Sequence, residues 1–126
     1  MARFFWVCLA GAVGTGVRYL VGLGAGRALG TTFPWGTLIV NVVGCFLMAI
    51  VAYAGARMVI SPGLRVTLAT GFMGGLTTYS AFNMETLTAM QERSWSLGAL
   101  NVGVTLVGCM AAGVAGLTLA RAILGN

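Results

Sequence analysis

The sequence predicts an all-α integral membrane protein with four transmembrane helices, the third of them broken near Gly74 to Thr78. Three observations lead there. Of 126 residues, 59% are hydrophobic and only 7% charged, and the mean hydropathy is +0.97, all outside the range of soluble globular domains. Uncharged runs extend from Phe4 to Val17, from Ala28 to Ala56, from Val66 to Met84 and from Ser94 to Ala120, and a spanning helix needs about 20 residues. Within the third run stands Gly74-Gly75-Leu76-Thr77-Thr78-Tyr79-Ser80-Ala81-Phe82. Its paired glycines weaken a helix, and its Thr and Ser hydroxyls compete for backbone groups.

The first run reaches spanning length only by including Arg18, which gives a helix over about residues 3–29. Arg3 before an apolar core with Ala10, Gly11 and Ala12 imitates a secretory signal. The apolar stretch, however, continues past the place of a cleavage region, and Gly22 and Gly26 follow at helix-packing spacing, so the helix is expected to be retained. Gly30-Thr31-Thr32-Phe33-Pro34 closes it and opens a second helix over about 34–57. Ser61-Pro62-Gly63 introduces the third, about 64–91, and Glu92-Arg93-Ser94 the fourth, about 95–122. The connections are short, so residues 1–126 read as one transmembrane domain and any chemistry must lie between helices. The break in the third helix matters most. Backbone carbonyls and amides released there cannot face lipid, so they must line a cavity, hold an ion or be covered by protein.

The net charge of +5 comes from seven arginines scattered near helix ends, a pattern of headgroup anchoring rather than of nucleic-acid binding. With four spans, Arg3, Arg57, Arg65 and Arg121 fall on one side and Arg27 and Arg93 on the other, with Arg18 deeper. That small bias fits either an ordinary weak preference for cytoplasmic termini or a chain that inserts both ways and pairs with an inverted copy of itself.

Composition argues against catalysis. The chain has no His, Asp or Lys, and its only carboxylates are Glu85 and Glu92, the second beside Arg93 at a helix end. Glu85 is the one candidate for a titratable group in the membrane, or else an interfacial carboxylate. Cys8, Cys45 and Cys109 lie within apolar runs at no metal-ligand spacing and read as small packing residues.

Neutral hydrogen-bond donors remain. Asn41 lies inside the second helix, where its amide must face protein or water. Asn101, Thr105 and Cys109 recur every fourth residue and share one face of the fourth helix. Beyond the break, Ser80 offers a hydroxyl, and Tyr79 and Phe82 project from neighbouring positions. Each has an ordinary packing explanation; together Asn41, Tyr79, Ser80, Phe82 and Thr105 could line a path of donors and ring edges. Such a path suits a small anion, because aromatic edges are positive and weak donors replace hydration without trapping the ion. Carbonyls exposed at the break suit a hard cation such as sodium.

These residues resemble those of the small bacterial fluoride channels, the Fluc family, also called CrcB proteins. The likeness covers essentially the whole chain: Gly14-Thr15-Gly16 with Arg18-Tyr19, then Gly36-Thr37-Leu38 with Val40-Asn41 and Gly44, then Gly71-Phe72, the Gly74 to Phe82 stretch and Glu85. It implies an antiparallel, dual-topology homodimer with two pores in the bacterial cytoplasmic (inner) membrane, passing fluoride passively out of the cytoplasm. It also implies a structural sodium ion at the dimer interface, held by backbone carbonyls that by position belong to Gly74 and Thr77. Asn41, Ser80 and Phe82 match the family's pathway residues. Tyr79 stands where the family has a first Phe, Ala81 where it usually has Thr, and Cys109 and Gly113 where Ser and Thr are common. Arg18 and Glu85 fall to a vestibule or a structural role. The alternatives are a small dual-topology multidrug or cation exporter, which would want a carboxylate where the first helix has Arg18, and a non-transporting membrane assembly subunit.

Overall fold

A computed structural model describes residues 1–125, and the regular structure among them is entirely helical. Helix α1 is Ala2–Leu29, α2 is Trp35–Ala56 and α5 is Trp95–Leu124. At about 1.5 Å per residue, each exceeds the thickness of a bilayer's hydrocarbon core, and these three are long and apolar enough to cross a membrane. Between α2 and α5 the chain forms two shorter helices. We denote as α3 the run of Pro62–Val66, Thr67–Met73 and Gly74–Leu76, and as α4 the run of Tyr79–Thr88 and Ala89–Arg93. Thr67–Met73 and Ala89–Arg93 are wound in wider π turns. Ser61 caps α3, accepting from the Leu64 amide at 3.2 Å with Pro62 in the first turn. Ser94 does the same for α5, accepting from Leu97.

The interruption lies later than the glycine pair. Gly74 has helical angles (φ −61, ψ −35) and stands with Gly75 inside the last turn of α3, whereas Thr77 (φ −84, ψ 155) and Thr78 (φ −152, ψ 118) are extended. The break expected near Gly74 to Thr78 thus falls at Thr77 and Thr78, while the glycines stay helical. Their packing accounts for it. A Cβ at Gly75 would strike the Gly11 carbonyl, and one at Gly14 would strike the Phe72 carbonyl. The glycines thus let the backbones of α1 and α3 touch, as small residues do between membrane helices.

Helix α2 is the centre of the bundle. Its Gly36 lies against the Gly22 backbone of α1, and its Val40 forms a core with Met73 and Leu76 of α3, flanked by Val21, Leu47, Met48 and Phe72. Farther along α2, Phe46 and Ala49 abut Gly116 of α5. Helix α4 turns back on α5, with Gly98 beneath Met90. The two halves of the interrupted span therefore have different neighbours, α1 for the first and α5 for the second, and α2 contacts both.

Candidate functional site

The site is built around the peptide of Thr78. Asn41, buried in α2, donates from Nδ2 to the Thr78 carbonyl at 3.1 Å and accepts from the Thr78 amide on Oδ1 at 2.8 Å. One side-chain amide thereby satisfies both backbone groups of an extended residue that has no helical partner. The Thr78 hydroxyl accepts from the Ala81 amide at 3.2 Å and so caps α4, and it lies 3.3 Å from the Ser80 hydroxyl.

These bonds redirect two donors. In an unbroken helix the Thr78 amide would serve the Gly74 carbonyl and the Ala81 amide would serve the Thr77 carbonyl, four residues back in each case. Here the first is given to Asn41 and the second to the Thr78 side chain. Gly74 and Thr77 thus carry carbonyls deprived of their ladder donors. Gly74 is also exposed, with nothing within 4 Å of where a Cβ would be. Across the break the polarity reverses: α3 ends in carbonyls, and α4 begins in amides, the end of a helix that favours negative charge.

The aromatic pair stands at that amide end. The Tyr79 and Phe82 rings are 5.7 Å apart at 51°; Tyr79 is 81% exposed, and Phe82 is half-buried. Below Phe82 a hydroxyl-amide ladder runs inward. Thr86 donates to the Phe82 carbonyl at 2.7 Å, Asn101 donates to the Thr86 hydroxyl at 2.8 Å, and Thr105 donates to Asn101 at 3.4 Å. All three of Thr86, Asn101 and Thr105 are buried. The structure therefore groups Asn41 with Thr78 and Ser80, and Tyr79 and Phe82 with Thr105 through Thr86 and Asn101.

Glu85 belongs to a second grouping. Its Oε1 accepts from the Thr37 hydroxyl at 2.7 Å, while its buried Oε2 has no hydrogen-bond partner among the described residues. Both residues line a cleft of about 390 Å³ between the α1–α2 connection and α4, together with Gly22, Gly36, Thr88 and Arg93. Arg93 ties this cleft's rim by donating to the carbonyls of Thr31 and Thr32. Arg18, half-buried on α1, does not line it.

Thr78, Thr86 and Thr37 were not selected from sequence, and Asn101 was seen only as part of a packing stripe. A signal for the middle pair exists: Thr86 and Asn101 flank the Ser94 turn at nearly equal distances, as partners in an antiparallel helix pair do.

The family described as CrcB-like protein, Camphor Resistance (CrcB), matches residues 5–117. The chain belongs to the CrcB family. Among similar proteins, the fluoride-specific ion channel FluC of Sorangium cellulosum is 46% identical over 125 residues, covering 98% of each chain. That of Anaeromyxobacter dehalogenans is 46% identical over 126 residues, 99% of this chain and all of the relative. That of Rhizobium etli is 42% identical over 124 residues, 98% of this chain and 99% of the relative. Every residue grouped above, from Arg18 to Thr105, falls inside the span that matches the CrcB family.

Proposed function

We propose that this chain is a fluoride-selective passive channel of the bacterial inner membrane, which lowers cytoplasmic fluoride by letting the ion leave. The observation that carries this reading is identity of more than two-fifths, over nearly the full length, to proteins named fluoride-specific ion channels. It is not an enzyme. An inside-negative potential drives an anion outward by about 2.3 kcal/mol per 100 mV, so export needs neither ATP nor a coupled proton.

The geometry supports a mechanism in which fluoride passes the start of α4. Asn41 uses one Nδ2 hydrogen on Thr78, which leaves the other for an anion. Ser80 adds a hydroxyl and the Tyr79 and Phe82 rings add positive edges, with Thr105 farther along the ladder. None carries a full charge, so each binds weakly enough to release the ion to the next. The hydroxyl of Tyr79 distinguishes this path from one built on two phenylalanines. Arg18 and the cleft holding Glu85 and Thr37 would stand at its approaches. An exporter of multidrug or cation type gains no support, since α1 carries Arg18 and no carboxylate.

The same reading makes the working unit an antiparallel homodimer of dual topology with two pores. The Gly74 and Thr77 carbonyls fit a sodium ion: they are hard oxygen donors, their ladder donors are diverted, and Gly74 lies exposed on the face of α3. Two such carbonyls from one chain are few for sodium, and an inverted copy would double the set. Bound there, a sodium ion would supply positive charge opposite the Gly74 and Thr77 carbonyl dipoles.

Fluoride-loaded proteoliposomes made permeable to potassium should release fluoride, and Phe82→Ile should reduce release to near the leak of protein-free vesicles. Well-folded wild-type protein that releases none would reject the channel reading. Purification with N-methylglucamine in place of sodium should shift the protein from dimer toward monomer in sedimentation and lower the flux. A dimer equally stable with and without sodium would remove the ion from the interface.

A further inference from the structure

Of the asparagines within helices, Asn41 on α2 and Asn101 on α5 are buried and hydrogen-bonded. Asn83 on α4 is exposed, and its side-chain amide has no hydrogen-bond partner among the described residues. Its depth makes that exposure costly. Helix α4 ends at Arg93, which donates to the Thr31 and Thr32 carbonyls of the α1–α2 connection. Asn83 stands ten residues before Arg93, about 15 Å along a helix, or half of the roughly 30 Å hydrocarbon core. An amide at that depth cannot be left to lipid, so it must face protein or a water-filled path.

The direction of the side chain narrows the choice. At about 3.6 residues per turn, Tyr79, Asn83, Leu87, Ser80, Met84 and Thr88 follow one another around one half of α4, and all are exposed. The other half holds Thr86, bonded to Asn101 of α5, and Glu85, bonded to Thr37 of α2. Asn83 therefore lies between Tyr79 and Ser80 in direction and one turn farther from the break. Close to the break this outward face is polar, and it needs a cover other than lipid. The inverted second copy supplies that cover.

We propose that Asn83 is a further fluoride-binding residue, whose side-chain amide donates to the ion one turn beyond Ser80. The assignment rests on the channel reading. A side-chain amide carries two N–H donors, and Asn83 spends neither on another described residue, whereas Asn41 spends one on Thr78. Being uncharged, Asn83 attracts an anion without trapping it, as a station in a series of weak sites must. Fluoride is the smallest halide and the strongest hydrogen-bond acceptor among them, so an N–H donor at this point favours it over chloride. Leu87, the next residue along the same line of α4, offers no donor.

The test uses the full chain with its asparagine side chains labelled with nitrogen-15, which gives one amide pair each for Asn41, Asn83, Asn101 and Asn126. The pair missing from the spectrum of Asn83→Ser belongs to Asn83. Titration with sodium fluoride should shift that pair saturably, and sodium chloride at the same concentration should not. In proteoliposomes Asn83→Leu should cut fluoride efflux by about tenfold or more, and Asn83→Ser, which restores one donor, should recover most of it. Both variants should sediment as the wild type does. An Asn83 pair that stays still while the Asn41 pair moves with fluoride would overturn the site and leave the channel reading standing. No movement of any pair, with no efflux from the wild type, would overturn both. Unchanged efflux in Asn83→Leu would also overturn the site, as would an Asn83 pair that follows dissociation of the dimer but ignores fluoride, the mark of a bond between subunits.

Discussion

Asn41→Ala should abolish fluoride efflux and lower the melting temperature, because it removes both partners of the Thr78 peptide at once. The Thr78 amide and carbonyl are buried at the break, and each depends on Asn41. Leaving a buried polar group unpaired costs about 1–3 kcal/mol. The chain has a way to recover one of these bonds: the Thr78 amide can return to the Gly74 carbonyl, four residues back, and extend α3. That relief would close the helix across the break, cover a carbonyl proposed for sodium, and turn Ser80 and Phe82 away from their present places. The expected signature is loss of flux together with weakened sodium dependence of the dimer. Asn41→Asp provides the contrast. It keeps an acceptor for the Thr78 amide, so it should fold better than the alanine variant, yet it places a negative charge beside the anion path and should also lose flux. A folded Asn41→Ala protein with wild-type efflux would separate the asparagine from both the break and the pathway.

Much of this arrangement was legible in the residues, for reasons that differ by element. Helices α2 and α5 follow from apolar length alone, which the bilayer makes decisive, and α1 follows once Arg18 is admitted into its run. That the third span is interrupted also follows, since hydroxyls and glycines compete with the helix ladder. Which residues of that stretch leave the helix did not follow, because glycine has two roles that look alike in sequence. At Gly75 it permits close contact with Gly11 of α1, and the neighbour that reveals this is more than sixty positions away. The break needed an extended residue with its peptide satisfied from outside, and Thr78 has that only because Asn41 on another helix reaches it. The candidate residues were visible as polar side chains where lipid forbids them. Their pairing was not: Thr37 with Glu85, and Thr86 with Asn101, are contacts between elements, and a single sequence gives residue types along one chain without the register between helices.

The second large effect concerns the contact of α1 with α3. Gly14→Ala should lower the melting temperature and reduce flux, whereas Gly16→Ala, two residues away, should do neither. A methyl group at Gly14 would meet the Phe72 carbonyl and lie 2.9 Å from the Leu76 amide, both backbone atoms that no side-chain rotation can remove, while nothing lies within 4 Å of a methyl at Gly16. Overpacking of this kind costs about 1–3 kcal/mol, against a helix-propensity gain of about 1 kcal/mol that both alanines share. The expected difference between the variants is therefore the packing cost alone. Its effect on function follows from the place of Leu76, the last residue of α3 before the extended Thr77 and Thr78. Pushing α3 away from α1 moves Leu76 out of its core with Val40, and Val40 is the residue before Asn41. The displacement thus reaches the Asn41 clamp from both of its ends. Melting curves in detergent and efflux from liposomes should separate Gly14→Ala from Gly16→Ala in both readouts. Equal behaviour of the two would mean that α1 and α3 do not pack through Gly14, and that the break is held without support from the first helix.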